Sequence, residues 1–387
     1  MRDTFLPFAR PSVDEDAIAD IADSVRSGWL AMGPKTLKFE QTFAEYTGAP
    51  YALAVNSATA GLHCALMALG VGPGDEVITT PMTFASTANT IIFTGAKPVF
   101  ADIDRNTRDI TPESIENAVT KRTKAIVPVH FAGLPCDMDA IEEIAERHGL
   151  AIVEDAAHAL GASYKGRKIG APRGKRRAAV FSFHPTKNIT TGEGGMICTG
   201  DEEMAEKISA LRQNGMSKGA WNRYGEKGDA GYDILMPGLK YTMTDIQAAI
   251  GNSQMKRLAE FNARRAGIVR RYMTELADVR GLILPRRAPW EYVHSWHIFT
   301  PLIDVAELGF SRAEFMARMK RLNIGTALHY QALHLFPCYE RLTGAKRGSL
   351  PEAEYVSERI VSLPLFPAMT DADVSDVIKA VREVCSR

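Results

Sequence analysis

From Tyr51 to about Thr199 the chain alternates short apolar runs with stretches in which apolar residues recur every three to four positions. Tyr51–Val55 reads as a strand, and Ala58–Leu69 then places Leu62, Ala65, Leu66 and Leu69 on one face of a helix. Glu76–Thr79 is the next strand, followed by a helix through Phe93 and by Pro98–Asp102. Thr111 caps a helix whose first position is Pro112, an ordinary start signal. Ala125–Val129, a helix over Met138–His148, Ala151–Glu154, Ala178–Phe183 and Met196–Thr199 complete about seven strands. Strands alternating with helices dictate right-handed βαβ crossovers and a mostly parallel sheet covered on both faces.

After Met243 the pattern changes. A helical period runs from Thr244 to near Leu276 through Ile246, Ala249, Ile250 and Leu258, long enough to be a spine joining two domains. Beyond it, Trp296–Leu302 and Gly325–His329 read as strands, and Arg312–Arg321 and Asp371–Val384 as helices, of a smaller α+β unit. We therefore expect an α/β protein with domains at 1–245 and 246–387. Near the N-terminus, Ser12-Val13-Asp14-Glu15 matches a capping box opening a helix over Asp16–Arg26.

Composition narrows the classes. Hydrophobic content of 45% and charged content of 24% are those of a globular protein. Lys+Arg 46 against Asp+Glu 46 asks for neither nucleic acid nor an anionic membrane as partner. The basic cluster Arg173-Gly174-Lys175-Arg176-Arg177 reads as a solvated connecting loop, with a contact to an anionic substrate as the alternative. Five dispersed cysteines, without CxxC or metal-like spacing, fit buried thiols in a reducing compartment. With no signal-like start and no apolar run of transmembrane length, the expectation is a cytoplasmic protein.

The chemistry concentrates around Lys187. Phe181-Ser182-Phe183-His184-Pro185-Thr186-Lys187-Asn188 sets a lysine between an apolar strand and the turn Gly192-Glu193-Gly194-Gly195. Upstream, Ile152-Val153-Glu154-Asp155-Ala156-Ala157-His158 ends a strand in carboxylates. A lysine for a Schiff base and a carboxylate to keep a pyridine nitrogen protonated are what pyridoxal phosphate (PLP) chemistry requires. Separately, each has a plainer reading, as solvated lysine or as helix cap. Asn56-Ser57-Ala58-Thr59-Ala60-Gly61 lies at a strand-to-helix turn, where free N–H groups and small side chains admit a phosphate. The dinucleotide and P-loop glycine motifs do not occur.

Other residues keep two readings. Phe84 stacks on a flat ring or packs in the core; His158 faces the ligand of Asp155 if a turn begins there, and otherwise is a polar core histidine. Glu193 orients backbone or substrate, or is solvated. His294-Ser295-Trp296-His297 and Leu328-His329-Tyr330 gather imidazoles and aromatics better suited to a sugar or nucleotide than to a metal, and Trp29 is a similar candidate.

Together, Phe181–Lys187 with Gly192–Gly195, Glu154–His158, Ser57–Gly61 and Gly238–Gln247 resemble the DegT/StrS group of PLP-dependent nucleotide-sugar aminotransferases, of PLP-transferase fold type I. The similarity runs from Leu6-Pro7-Phe8 to Ser362–Pro367. Within the group, Ser27-Gly28-Trp29, Ile126–His130, Asn262–Ala266 and His294–His297 are most similar to the UDP-4-amino-4-deoxy-L-arabinose–oxoglutarate aminotransferase branch. The resemblance implies a homodimer with shared active sites, using L-glutamate and a nucleotide-linked 4-keto sugar. It implies Lys187 as the covalent attachment and proton shuttle, Asp155 on the ring nitrogen, and His158 (Gln in many relatives) on the ring hydroxyl. Phe84 would stack on the ring; Ala58, Thr59 and Ser182 would hold the phosphate, and Lys240 would reach the neighbouring subunit's site. Trp29, Glu193, His329 and Tyr330 are the substrate candidates. Many members have Asn where Lys240 stands and Arg where Thr242 stands, and Phe84 replaces the Trp expected of the most similar branch. Amination at C3, a keto-sugar dehydratase and a non-enzymatic regulator are the rival readings. Dehydratases of this fold carry histidine at the Schiff-base position, which Lys187 opposes.

Overall fold

The computed structural model describes residues 2–171, 174–217 and 231–386. Its centre is a seven-stranded sheet. In chain order β1 is Tyr51–Val55, β2 Glu76–Thr79, β3 Lys97–Phe100, β4 Thr123–Val127 and β5 Ala151–Asp155. After the two-residue strands β6 (Ser163–Tyr164) and β7 (Arg167–Lys168) come β8 (Arg177–Ser182) and β9 (Gly195–Thr199). The order across the sheet is β1-β9-β8-β5-β4-β2-β3. Only β9 runs antiparallel to its neighbours, pairing Tyr51 with Thr199 on one side and Ser182 with Gly195 on the other. All five residues of β5 are buried, as expected of a strand covered on both faces.

Helices α1 (Glu15–Ser27), α2 (Pro34–Thr47), α3 (Ala58–Ala68), α4 (Ala85–Phe93), α5 (Pro112–Ala118), α6 (Met138–His148) and α7 (Glu202–Leu211) precede the spine helix α8 (Asp245–Glu275). On one face of the sheet Phe39, Phe43, Phe181 and Phe183 form a ring cluster with centroids 5.1 to 6.1 Å apart. On the other, α3 lies so close to the sheet that a Cβ on Gly61 would stand 2.6 Å from Val180 Cγ1.

Two helix starts are decided by tertiary contacts. Asp14, not Ser12, caps α1: its Oδ1 accepts the Ala17 N–H at 3.0 Å and the Ser253 hydroxyl of α8 at 2.8 Å. That second bond fixes Asp14 and overturns the capping box expected at Ser12. Helix α2 has no capping side chain of its own. Asp245, the first residue of α8, accepts from Gly33 N (2.8 Å), Lys35 N (3.1 Å) and Thr36 N (2.9 Å) instead. By contrast α8 carries its own capping box, Thr244 with Gln247.

Beyond α8 a second core gathers Tyr272, Phe299, Phe315, Leu363, Val377 and Val381, and Leu6 from the N-terminal segment joins it through a bridge to Ile324. The helices at Arg312–Arg321 and Asp371–Cys385 stand as expected. The strand expected at Trp296–Leu302 survives only as Leu302–Ile303, paired with Leu282–Ile283, and the one at Gly325–His329 does not form. Isolated bridges (Phe299 with Leu363, Ala327 with Ser362, Leu302 with Ile360) take the place of longer ladders. Trp296, at φ 49°, breaks the extended run. Arg265 ties α8 to this unit, donating to the carbonyls of His297 and Leu365 at 2.9 Å each.

Candidate active site

Five parallel strands (β1, β2, β4, β5 and β8) end at one edge of the sheet, and the segments that follow them form most of the walls of a 590 Å³ cavity. Crevices outside the carboxyl ends of such strands are the usual binding place in α/β folds. Lys187, Asp155, His158, Phe84, Ala58, Thr59, Ser182, Glu193, His329 and Tyr330 all line it.

After β1, Ser57 caps α3 by accepting the Ala60 N–H at 3.1 Å. This leaves the Ala58 and Thr59 N–H groups, at the positive end of the helix, without a partner among the described residues. Gly195 is required behind this turn, because a Cβ there would stand 2.7 Å from Ala58 N and 2.8 Å from the Ser57 carbonyl carbon. Ser182, at the end of β8, shares the wall. The result is a small, donor-rich cradle for a phosphate.

At the other end, Asp155 closes β5 and is 5% exposed. Its carboxylate accepts the Thr87 hydroxyl at 2.8 Å and the Ala157 N–H at 3.2 Å. Burial raises its pKa, against the lowering action of these bonds and of Lys187. Burial also lowers the Lys187 amine to about 8, with Asp155 pulling the other way. A lysine of ordinary pKa would be almost wholly protonated at neutral pH; this one has an accessible basic form. Asn188 fixes the backbone beside it, donating to Asn262 Oδ1 of α8 at 2.7 Å and to the Ser295 carbonyl at 2.8 Å.

His158 is 4% exposed, which settles its open reading in favour of a buried wall residue. The Ala132 N–H donates to its Nδ1 at 3.2 Å, so the proton sits on Nε2, 3.0 Å from Tyr330 Oη. Burial, then the Lys187 and His329 charges, hold its pKa well below 6.5, so the ring is neutral. Since both nitrogens have protein partners, the bond expected from His158 to a ring hydroxyl must compete with Tyr330. The His297 ring packs against that of His158, tilted by 41° with centroids 4.4 Å apart. Phe84 precedes α4 with 61% of its surface exposed, so the core-packing reading fails.

Two expected residues lie elsewhere. Lys240 is exposed, its backbone bridged to Gln213, and does not line the cavity of its own chain. Trp29 packs over Gly33, where a Cβ would overlap the indole, and also stays outside. His294 and Trp296 line a different cavity. Of the basic cluster, Arg173 lies outside the described residues; Lys175 and Arg176 are exposed, and Arg177 is buried at the start of β8. Sequence reasoning missed Thr83 and Thr87, whose hydroxyls meet at 2.7 Å. Their spacing of four positions, on either side of Phe84, was the available signal. Among the described residues no group of three His, Cys, Asp or Glu could hold a metal, and no helix is long and apolar enough to cross a membrane.

The cavity fits PLP at both ends: a donor cradle without a Cβ at Gly195, and a buried carboxylate facing a lysine of lowered pKa. Fold and site together define a PLP-dependent aminotransferase of the α/β type. Residues 11–382 match the DegT/DnrJ/EryC1/StrS aminotransferase family, and the chain belongs to it. It is 49% identical over 384 residues to the spore coat polysaccharide biosynthesis protein SpsC of Bacillus subtilis, covering 99% of this chain and 98% of that protein. Among solved structures, S. venezuelae DesV superposes with a TM-score of 0.88 at 36% identity, over 99% of this chain and 100% of that one. Spr1654 from Streptococcus pneumoniae in its PMP form gives 0.91 at 33% identity, over 98% and 99%. This chain is accordingly a PLP-dependent sugar aminotransferase.

Proposed function

We propose that the enzyme moves the amino group of L-glutamate to a nucleotide-linked 4-keto sugar, a UDP-4-keto pentose or 6-deoxyhexose, and releases 2-oxoglutarate. The observation that carries this reading is the Lys187 amine, lowered to about 8, facing the same cavity as the buried Asp155. When bound, PLP supplies an electron sink that acidifies the α-hydrogen of the amino donor. Lys187 takes that proton in its neutral form and returns it on the acceptor carbon, acting as base and then acid. Asp155, fixed by Thr87 and Ala157, keeps a negative charge at the ring-nitrogen end. Ala58, Thr59 and Ser182 hold the phosphate, and Phe84 covers the ring. His329, Tyr330 and Glu193 line the remaining space and would meet the sugar; Trp29 would do so only from the neighbouring subunit. Tyr330 keeps its proton, because burial and the nearby Asp155 raise its pKa. It therefore remains a donor for a sugar oxygen.

Family membership and the name of SpsC support a polysaccharide-related sugar as substrate. The 4-keto assignment and the similarity to the UDP-L-arabinose-type branch rest on the stretches around Trp29, Asn262–Ala266 and His294–His297. We place the domains at 1–245 and 246–387, the enzyme in the cytoplasm, and two copies in the working assembly, with Lys240 reaching across. The test is to load the enzyme with amine from glutamate and incubate it with UDP-, dTDP- and GDP-linked 3-keto and 4-keto sugars, with mass detection. Amination of a UDP-4-keto sugar is expected. Product from 3-keto sugars alone, or a cofactor band that glutamate does not bleach while another amino acid does, would sink the assignment.

A further inference from the structure

A second cavity, of 410 Å³, lies on the other side of the turn that holds His158, and its size is within the range of small-molecule sites. Its lining includes Arg108, Arg270, Arg286 and Arg287 and, among the described residues, no carboxylate. Arg270, Arg286 and Arg287 are exposed and make no ion pair or hydrogen bond among the described residues. Arg108 is 4% exposed; one terminal nitrogen donates to the Asn106 carbonyl at 2.9 Å, while its buried Nε has no partner among the described residues. Its backbone sits at φ 66°, a left-handed conformation that a non-glycine residue keeps only when its surroundings demand it. The same cavity is lined by the stacked rings of His294 and Trp296, whose centroids are 3.6 Å apart at an interplanar angle of 4°. Burial and Arg108 hold His294 down to about 3, so its ring adds a flat neutral surface rather than a fifth charge.

We infer that this cavity binds a nucleoside phosphate, with the base against the Trp296–His294 pair and the phosphates on the arginines, at a site separate from that of Lys187. A bare inorganic anion would leave the aromatic pair without a role, and a neutral aromatic would leave the guanidinium groups of Arg270, Arg286 and Arg287 without a counter-charge among the described residues. Arginine forks and aromatic faces together match a ligand that is both flat and polyanionic. The active-site cavity, in contrast, is lined by no arginine among the described residues. The wall between the two cavities is shared: Phe131 and Ala132 line the second one. The Phe131 ring touches His158 and Tyr330 (centroids 6.4 and 6.3 Å), and the Ala132 N–H sets the His158 tautomer. Asp109, beside Arg108, accepts the Phe131 N–H at 3.0 Å. An occupant resting on Arg108 therefore bears on the segment that positions His158, giving the site a regulatory reach.

The test is equilibrium dialysis of the full-length holoenzyme with UDP, ADP and inorganic pyrophosphate as probes, on wild type and on the combined Arg270→Ser, Arg286→Ser, Arg287→Ser variant. These three side chains are exposed, so the fold should persist. A class of nucleotide binding that weakens at least ~10-fold in the variant is expected, the scale of losing charge-assisted contacts. UDP bound equally by both proteins would overturn the site. Pyrophosphate bound as tightly as UDP, and lost in the same variant, would overturn the nucleoside assignment. Quenching of tryptophan fluorescence by UDP provides a second reading. It should disappear in Trp296→Phe, and persistence would remove the stacking surface from the proposal.

Discussion

At the scale of single residues, the determining fact is that a lysine and an aspartate of opposite charge type line one cavity. Lys187→Ala removes the amine that carries both attachment and proton transfer. Turnover should fall ~10²-fold or more, and the cofactor should come away on gel filtration. Turnover within a few-fold of wild type would remove Lys187 from the chemistry. The pKa of about 8 gives a pH signature with a definite sign. Capture of PLP by stripped protein needs the neutral amine, so its rate should rise with pH up to about 8 and then level off. A rise continuing towards ~10.4, the ordinary lysine value, would contradict the burial argument. Asp155→Asn keeps the shape and the bond from Thr87 but loses the charge. PLP should still be retained through Lys187 and its phosphate, while bleaching by glutamate slows by at least ~10²-fold in stopped-flow absorbance. Normal bleaching would displace Asp155 from the ring-nitrogen role.

Among elements, the phosphate turn depends on how closely β9 and α3 approach. Gly195 has an ordinary backbone conformation, so alanine there costs nothing in φ and ψ; its cost is contact with backbone atoms of Ser57 and Ala58 at 2.8 and 2.7 Å. Gly195→Ala should therefore destabilise by ~1–3 kcal/mol, the usual cost of overpacking, and weaken PLP retention on dialysis. A variant with unchanged melting temperature and PLP retention would mean that the turn can relax freely. The strands and helices before Thr199 were largely legible, because a doubly covered sheet writes continuous apolar runs and its helices write amphipathic ones. Helix α2 was not, because its N-terminal cap is Asp245, far away in sequence. The bridges around Phe299 and Ala327 were over-read as strands, since apolar residues in a buried irregular segment give the same signal as a short strand.

For the whole molecule, the open question is what Lys240 does. It is exposed and outside its own cavity, which suits a residue reaching a second copy. Mixing inactive Lys187→Ala with a Lys240→Ala variant tests this. If Lys240 serves the partner's site, one site in a mixed dimer carries both defects and the other neither, so activity should return towards one intact site per dimer. If it serves its own chain, verified subunit exchange will restore nothing.

The sequence by itself determined the chemistry and the class of fold. Lys187, Asp155 and the Ser57–Gly61 turn are local patterns at strand ends, and a parallel sheet brings strand ends to one edge whatever the intervening lengths. It also carried the family, through motifs spread along the chain. Only the tertiary structure decided which side chains face which cavity. His158 and Tyr330 meet across 172 positions, while Trp296, one residue before the His297 that packs against His158, faces a separate cavity. Such assignments depend on a backbone turn (Trp296 at φ 49°) and on contacts between distant segments, and neither leaves a periodic trace in the sequence.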